Sequence, residues 1–80
     1  MKLVVAVLAN SQADEVVEAL LEKGQRVTRL ATTGGLLRQG NTTLIAGVEE
    51  AAVPNVLATV EQRAPQAVVL VLPLERYEHL

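Results

Sequence analysis

The chain has 80 residues, enough for one small domain, and we assign residues 1–80 to a single domain. It has no cysteine and one histidine, His79, so disulfides, thiolate metal sites and a structural zinc site built by this chain alone are excluded. A net charge of −2 argues against a general nucleic-acid binder, which needs a basic face. No apolar run reaches the length of a membrane span and no signal-peptide pattern is present, so we expect a cytoplasmic protein.

The first half of the chain predicts a strand followed by a helix. The run Leu3–Leu8 is continuously apolar and rich in β-branched residues, which is typical of a buried strand. Asn10 or Ser11 can cap the helix, with Asp14 completing a capping box, and Gly24 is a typical helix stop. The residues expected to face the core have helical spacing and are Ala13, Val16, Val17, Leu20 and Leu21.

The second half predicts two strands, a helix and a last strand. The strands are expected over Arg26–Thr32, Thr42–Val48 and Ala67–Leu72, and the helix over Ala51–Arg63. Pro54 fits the first turn of this helix, where no intrahelical donor is lost. The inward side chains of the helix are expected to be Val53, Val56, Leu57 and Val60.

The resulting order is β-α-β-β-α-β, which predicts an α+β, ferredoxin-like fold with a four-stranded antiparallel sheet and two helices on one face. The first and fourth predicted strands are apolar on both faces. The sheet face without helices would therefore present apolar side chains to water, at about 25 cal/mol for each Å² left exposed. We expect further copies of the chain to cover this face.

The segment Arg26–Thr43 carries the residues best suited to bind a ligand. Its three arginines suit phosphate, and its Gly34-Gly35 turn lets backbone N–H groups approach an anion closely. Leu36 and Leu37 would be exposed to water in a loop unless a ligand ring or a neighbouring subunit covers them. The alternative is a long hairpin loop whose leucines dock on a neighbour and whose arginines are solvated.

Several motifs together closely resemble the family of PII-like cyclic di-AMP receptors over nearly the whole chain. The motifs are Arg26-Val27-Thr28, Thr32–Thr43, Gly47-Val48-Glu49, Val71–Glu75 and Tyr77-Glu78-His79. The resemblance is to a short variant of the family. Arg63–Ala67 stands where members have a long loop before the last strand, and Leu36 stands where they typically carry Phe.

The resemblance implies a non-catalytic signal-transduction protein, a homotrimer that binds a nucleotide second messenger in the clefts between subunits. Cyclic di-AMP is the first expectation for the ligand, and no cofactor, metal, nucleic acid or membrane insertion is implied. By position, the ligand-binding residues would be Arg26, Thr28, Gly35, Leu36, Leu37, Asn41 and Gly47.

The sequence is compatible with two other functions. The chain is alternatively a PII-like trimeric scaffold that binds a protein partner and has lost or changed its small-molecule ligand. A small hydrolase on the same fold would use Arg38 and Asn41 on an acyl phosphate.

Overall fold

The structure is a computed structural model that describes residues 1–30 and 40–75. In chain order, its elements are β1 (Lys2–Ala9), α1 (Asn10–Glu22), β2 (Thr28–Leu30), β3 (Asn41–Val48), a short 3-10 helix (Glu50–Ala52), α2 (Val53–Arg63) and β4 (Val68–Pro73). This order confirms the predicted β-α-β-β-α-β arrangement.

The four strands form one antiparallel sheet in the order β2-β3-β1-β4. The register places Val5 opposite Ile45 on one side and opposite Leu70 on the other, so these three residues share a face. Pro73 ends β4, an edge strand, where the lack of an N–H donor is tolerated. The predicted ferredoxin-like α+β fold is confirmed.

The core lies between the two helices and one face of the sheet. Alternate residues of β1 and β3 point to this face because side chains of a strand alternate between its two sides. The helices contribute Val16, Leu20, Val56 and Val60, which are all buried. The strand residues of the core are Val4, Ala6, Leu8, Leu44, Ala46 and Val48.

The opposite face of the sheet is apolar and uncovered by the helices, as the sequence predicted. Val68, Leu70 and Leu72 of β4 are 61%, 54% and 45% exposed. The register sets them beside Val7, Val5 and Leu3 of β1, which are half-buried. We call the outward-facing residues of this side, from all four strands, the open face.

The predicted capping box of α1 is wrong. The N-cap residue is Ala9, and no side chain caps the helix. The helix follows β1 without a connecting residue, and the backbone N–H of Asn10 donates instead to the carbonyl of Gly40 at 2.8 Å. Asp14 is engaged elsewhere, since its carboxylate accepts from the guanidinium of Arg29 at 2.7 Å.

The end of α1 also differs from the prediction at one residue. Gly24 ends the helix as expected, with a φ of +81° that favours glycine, and its N–H donates to the carbonyl of Leu21. Leu21, however, is 55% exposed, although its spacing placed it in the core. Ala19 and Leu20 are the buried residues of this turn. The side of α1 that faces the core therefore includes these two residues and not Leu21.

The second strand is shorter than predicted at its start. The structure gives Thr28–Leu30, and the residues before Thr28 belong to no strand although the prediction began at Arg26. The remainder of the predicted strand, residues 31 and 32, lies outside the described residues. Arg26 and Val27 therefore do not take part in the regular pairing with β3, and both line the groove described below.

Candidate functional site

A groove opens at the edge of the sheet where β2 begins. The paired residues of β2 and β3 start at Thr28 opposite Ile45, and the chain before Thr28 lies beside β3 without belonging to a strand. The space between them is open and has a volume of about 420 Å³. The residues lining this first groove are Leu3, Leu21, Arg26, Val27, Thr28, Ile45, Ala46 and Gly47.

Three of the seven sequence-predicted binding residues therefore lie together, namely Arg26, Thr28 and Gly47. Among the described residues that line the first groove, Arg26 alone carries a charge, and its side chain is exposed. Its planar guanidinium offers several donors in a geometry that matches phosphate oxygens. The hydroxyl of Thr28 adds one further donor or acceptor. The groove thus combines a guanidinium and a hydroxyl with several apolar side chains.

The backbone conformation of Gly47, which lines this groove, does not require glycine. The described glycines with positive φ are Gly24 and Gly40, so Gly47 has a backbone conformation open to other residues. A glycine inside a strand normally weakens it, and it often marks a close approach of a ligand. Gly47 lines the first groove together with Thr28 and Leu3.

Asn41 lies in a second groove, at the opposite end of β3. This groove has a volume of about 200 Å³. Besides Asn41, its polar lining residues are Gln12 of α1 and Gln66, which precedes β4. Carboxamides of this kind donate and accept hydrogen bonds at once, as the edge of a nucleobase also does.

Within a single subunit, Asn41 lies far from the first groove. Asn41 and Gly47 are the first and seventh residues of β3, and six residues of a strand span roughly 20 Å at about 3.3 Å per residue. Gly35, Leu36 and Leu37, together with Arg38, lie outside the described residues. The described part of the predicted site is therefore divided between two ends of the sheet.

The groove residues that sequence reasoning missed include Leu21, Gln12 and Gln66. Leu21 fits the apolar spacing of α1, so its pattern indicated a core residue. The two glutamines stand alone in sequence, 54 positions apart, and nothing in their local pattern connects them. Only the packing of β1, α1 and β4 places them beside Asn41.

Residues 1–30 and 40–75 hold neither a cluster of metal-ligating side chains nor a membrane-spanning helix. Nowhere in these ranges do three or more histidine, cysteine, aspartate or glutamate side chains gather in a way that could hold a metal ion. Neither α1 nor α2, the helices of the described chain, has the length and apolarity to cross a membrane.

Comparison with known proteins connects this chain to one family. A family model described as "Cyclic-di-AMP receptor" matches residues 1–77. A crystal structure of a functionally unknown protein from Pediococcus pentosaceus ATCC 25745 superposes with a TM-score of 0.85 at 33% sequence identity, covering 99% of this chain and 96% of that chain. The family model describes a receptor, a protein that binds a nucleotide second messenger. The chain belongs to the cyclic di-AMP receptor family.

Proposed function

We propose that this chain is a non-catalytic receptor that binds cyclic di-AMP in the clefts between the subunits of a homotrimer. The observation that carries the proposal is the convergence of Arg26, Thr28 and Gly47 on one groove, in a chain whose family model describes a cyclic di-AMP receptor. Each subunit supplies one such groove, so a trimer offers three equivalent sites.

The chemistry of the first groove suits a cyclic dinucleotide. Such a ligand carries two phosphates and two planar bases. Arg26 lines the groove, where its guanidinium can bind a phosphate, and the hydroxyl of Thr28 can donate to the ligand. The absence of a side chain at Gly47 and the apolar side chains of the lining suit the face of a base.

The separation of the two grooves supports a shared cleft. Asn41 is roughly 20 Å from Gly47 along β3, a distance longer than one nucleotide. A neighbouring copy that packs on the open face can bring its own Asn41 to the first groove. We assign the remaining ligand contacts to Gly35, Leu36 and Leu37, which lie between β2 and β3 in the sequence.

The open face supports the trimer itself. Val68, Leu70 and Leu72 form an exposed apolar row at the sheet edge, continuous with the half-buried row of β1. Contiguous apolar surface of this kind normally marks an interaction site. Packing against two sister sheets removes it from water, and such closed symmetry is the usual form of small oligomers.

Calorimetry and sedimentation of the same samples test the proposal. The protein is titrated with cyclic di-AMP, with cyclic di-GMP and AMP as matched controls, and its mass is measured by sedimentation equilibrium. We expect a trimer that binds one cyclic di-AMP per subunit and binds the controls more weakly. A stable monomer, or no binding of cyclic di-AMP at sub-millimolar concentration, contradicts the proposal.

The connection between α2 and β4 supports a second candidate function. It has only four residues, 64–67, in the position where the family resemblance leads one to expect a long loop. Beside it lies a groove of about 230 Å³ with apolar residues Leu57, Val60 and Val69 in its lining. A trimeric scaffold that binds a protein partner is therefore the alternative. Stoichiometric capture of one protein, unaffected by cyclic di-AMP, would favour the scaffold.

A further inference from the structure

Leu21 is an exposed apolar residue in a place where its exposure needs a reason. It is 55% exposed, whereas Leu20 beside it is buried in the core. The neighbours of Leu21 on the outer side of α1 are the charged and exposed Glu18 and Glu22. A leucine there gains nothing from contact with water, and burying it against a ligand stabilises the complex in proportion to the apolar area covered.

The position of Leu21 is fixed by the end of its helix. The carbonyl of Leu21 accepts the N–H of Gly24 at 3.0 Å, and the N–H of Gln25 donates to the carbonyl of Leu20 at 3.0 Å. These hydrogen bonds reverse the direction of the chain after α1. Arg26, five residues after Leu21 in the sequence, therefore lines the same groove. The hydrogen-bonded turn at the end of α1 thus connects two residues, Leu21 and Arg26, that line the same groove.

The remaining lining defines what Leu21 can contact. Arg26 is the charged residue among the described lining residues, and Leu3, Val27 and Ile45 are apolar. A bare phosphate would use Arg26 and leave the apolar wall in water. A ligand that joins a phosphate to a flat ring uses both, because the faces of a nucleobase are covered well by aliphatic side chains.

We propose that Leu21 contacts the face of a nucleobase held in the first groove and sets the preference of this site for a base-bearing ligand. The inference rests on the proposed function and adds one residue to it. Arg26 binds the phosphate of the same nucleotide, and Leu21 closes the groove over the ring from the side of α1. The contact needs only van der Waals packing, so its strength follows the area that the side chain covers.

Binding of cyclic di-AMP to Leu21→Ala and Leu21→Phe tests this contact by calorimetry. We expect Leu21→Ala to weaken binding about tenfold, since most of the apolar side chain is removed from the complex. Leu21→Phe keeps an apolar cover, can stack on the base, and should bind at least as tightly as the unchanged chain. Leu57→Ala is the matched control, because Leu57 is a half-buried leucine on α2 that lines a different groove.

A second measurement reports on the base itself. A cyclic dinucleotide that carries the fluorescent base 2-aminopurine is titrated with the unchanged chain and with Leu21→Ala. We expect the bound base to show an altered emission in the unchanged chain and a smaller change in Leu21→Ala at saturation. Arg26→Ala should weaken binding of this probe without altering the emission of the fraction that binds.

The possible results separate this inference from the proposed function. If the unchanged chain does not bind cyclic di-AMP, the proposed function fails and the inference fails with it. If the unchanged chain binds and Leu21→Ala has the same affinity and the same probe emission, the inference alone is overturned. Loss of the trimer in Leu21→Ala by sedimentation also overturns it, because Leu21 would then be a contact between subunits.

Discussion

The hydroxyl of Thr42 donates a hydrogen bond to the side-chain oxygen of Asn10, joining the second residue of β3 to the first residue of α1. The backbone N–H of Asn10 donates in turn to the carbonyl of Gly40 at 2.8 Å. Asn41 lies between these two attachment points. The start of the first helix therefore fixes the backbone on both sides of a proposed ligand-binding residue.

The first prediction concerns the stability that this hydrogen bond provides. Thr42→Val keeps the shape of a buried side chain and removes the donor, leaving the oxygen of Asn10 without it. We expect the free energy of unfolding in urea to fall by about 1 kcal/mol. Thr28→Val is the control, because Thr28 is exposed and should change stability little. Equal losses in the two variants would contradict the prediction.

The second prediction separates two arginines only three residues apart. Arg26 lines the first groove, whereas Arg29 points to the helix layer and forms an ion pair with Asp14. We expect Arg26→Ala to weaken cyclic di-AMP binding at least tenfold, because a charge-assisted hydrogen bond is worth about 1.5–3 kcal/mol. Arg29→Ala should leave affinity unchanged and lower stability by less than about 1 kcal/mol, as for an exposed pair. Calorimetry and urea unfolding check both variants, and equal losses of affinity would refute the site assignment.

The third prediction concerns Gly47 and uses the fact that its backbone does not require glycine. Gly47→Val adds a β-branched side chain that suits a strand, so we expect unchanged or higher thermal stability. The same side chain occupies the first groove, so we expect cyclic di-AMP binding to become undetectable. Thermal unfolding and calorimetry of one preparation check the two effects. Retained binding would mean that the ligand does not approach Gly47.

The fourth prediction concerns the open face. Leu70→Asp places a carboxylate among apolar residues that a trimer would bury, and an unpaired charge is not tolerated there. We expect sedimentation to report a folded monomer, since Leu70 is half-exposed within one subunit. Ala58→Asp adds the same charge at an exposed position of α2 and should leave the trimer intact. A trimer that survives Leu70→Asp would place the subunit contact elsewhere.

The fifth prediction tests whether the two grooves belong to one shared cleft. We expect a trimer made only of Arg26→Ala subunits, or only of Asn41→Ala subunits, to bind cyclic di-AMP weakly. In randomly mixed trimers, a cleft that takes Arg26 from one subunit and Asn41 from its neighbour is intact in about one quarter of cases. We therefore expect mixing and reassembly to restore binding to that fraction of sites by calorimetry. If both residues act within one subunit, no binding returns.

The regular elements were predictable because their signals are local. The apolar run that begins at Leu3 and the helical spacing of Val16 and Leu20 each reflect the period of a single element. The exceptions were the side-chain cap of α1, the start of β2 and the burial of Leu21. The side chain of Asn10 does not cap the helix because its oxygen accepts a hydrogen bond from Thr42 of β3. The prediction for Leu21 failed because the rotation of α1 over the sheet decides which side of its apolar stripe is buried.

The site was predictable only in part. The sequence by itself determined the element order, the two apolar faces of the sheet and the family resemblance. Each of these depends on residues that are close together in the sequence or on short sequence motifs. The tertiary structure alone decided that Arg26 and Gly47 share a groove with Leu21 and that Asn41 lies at the far end of the same strand. Those relationships depend on how β2 and β3 pair and where that pairing stops, and strand pairing joins residues that no local pattern connects.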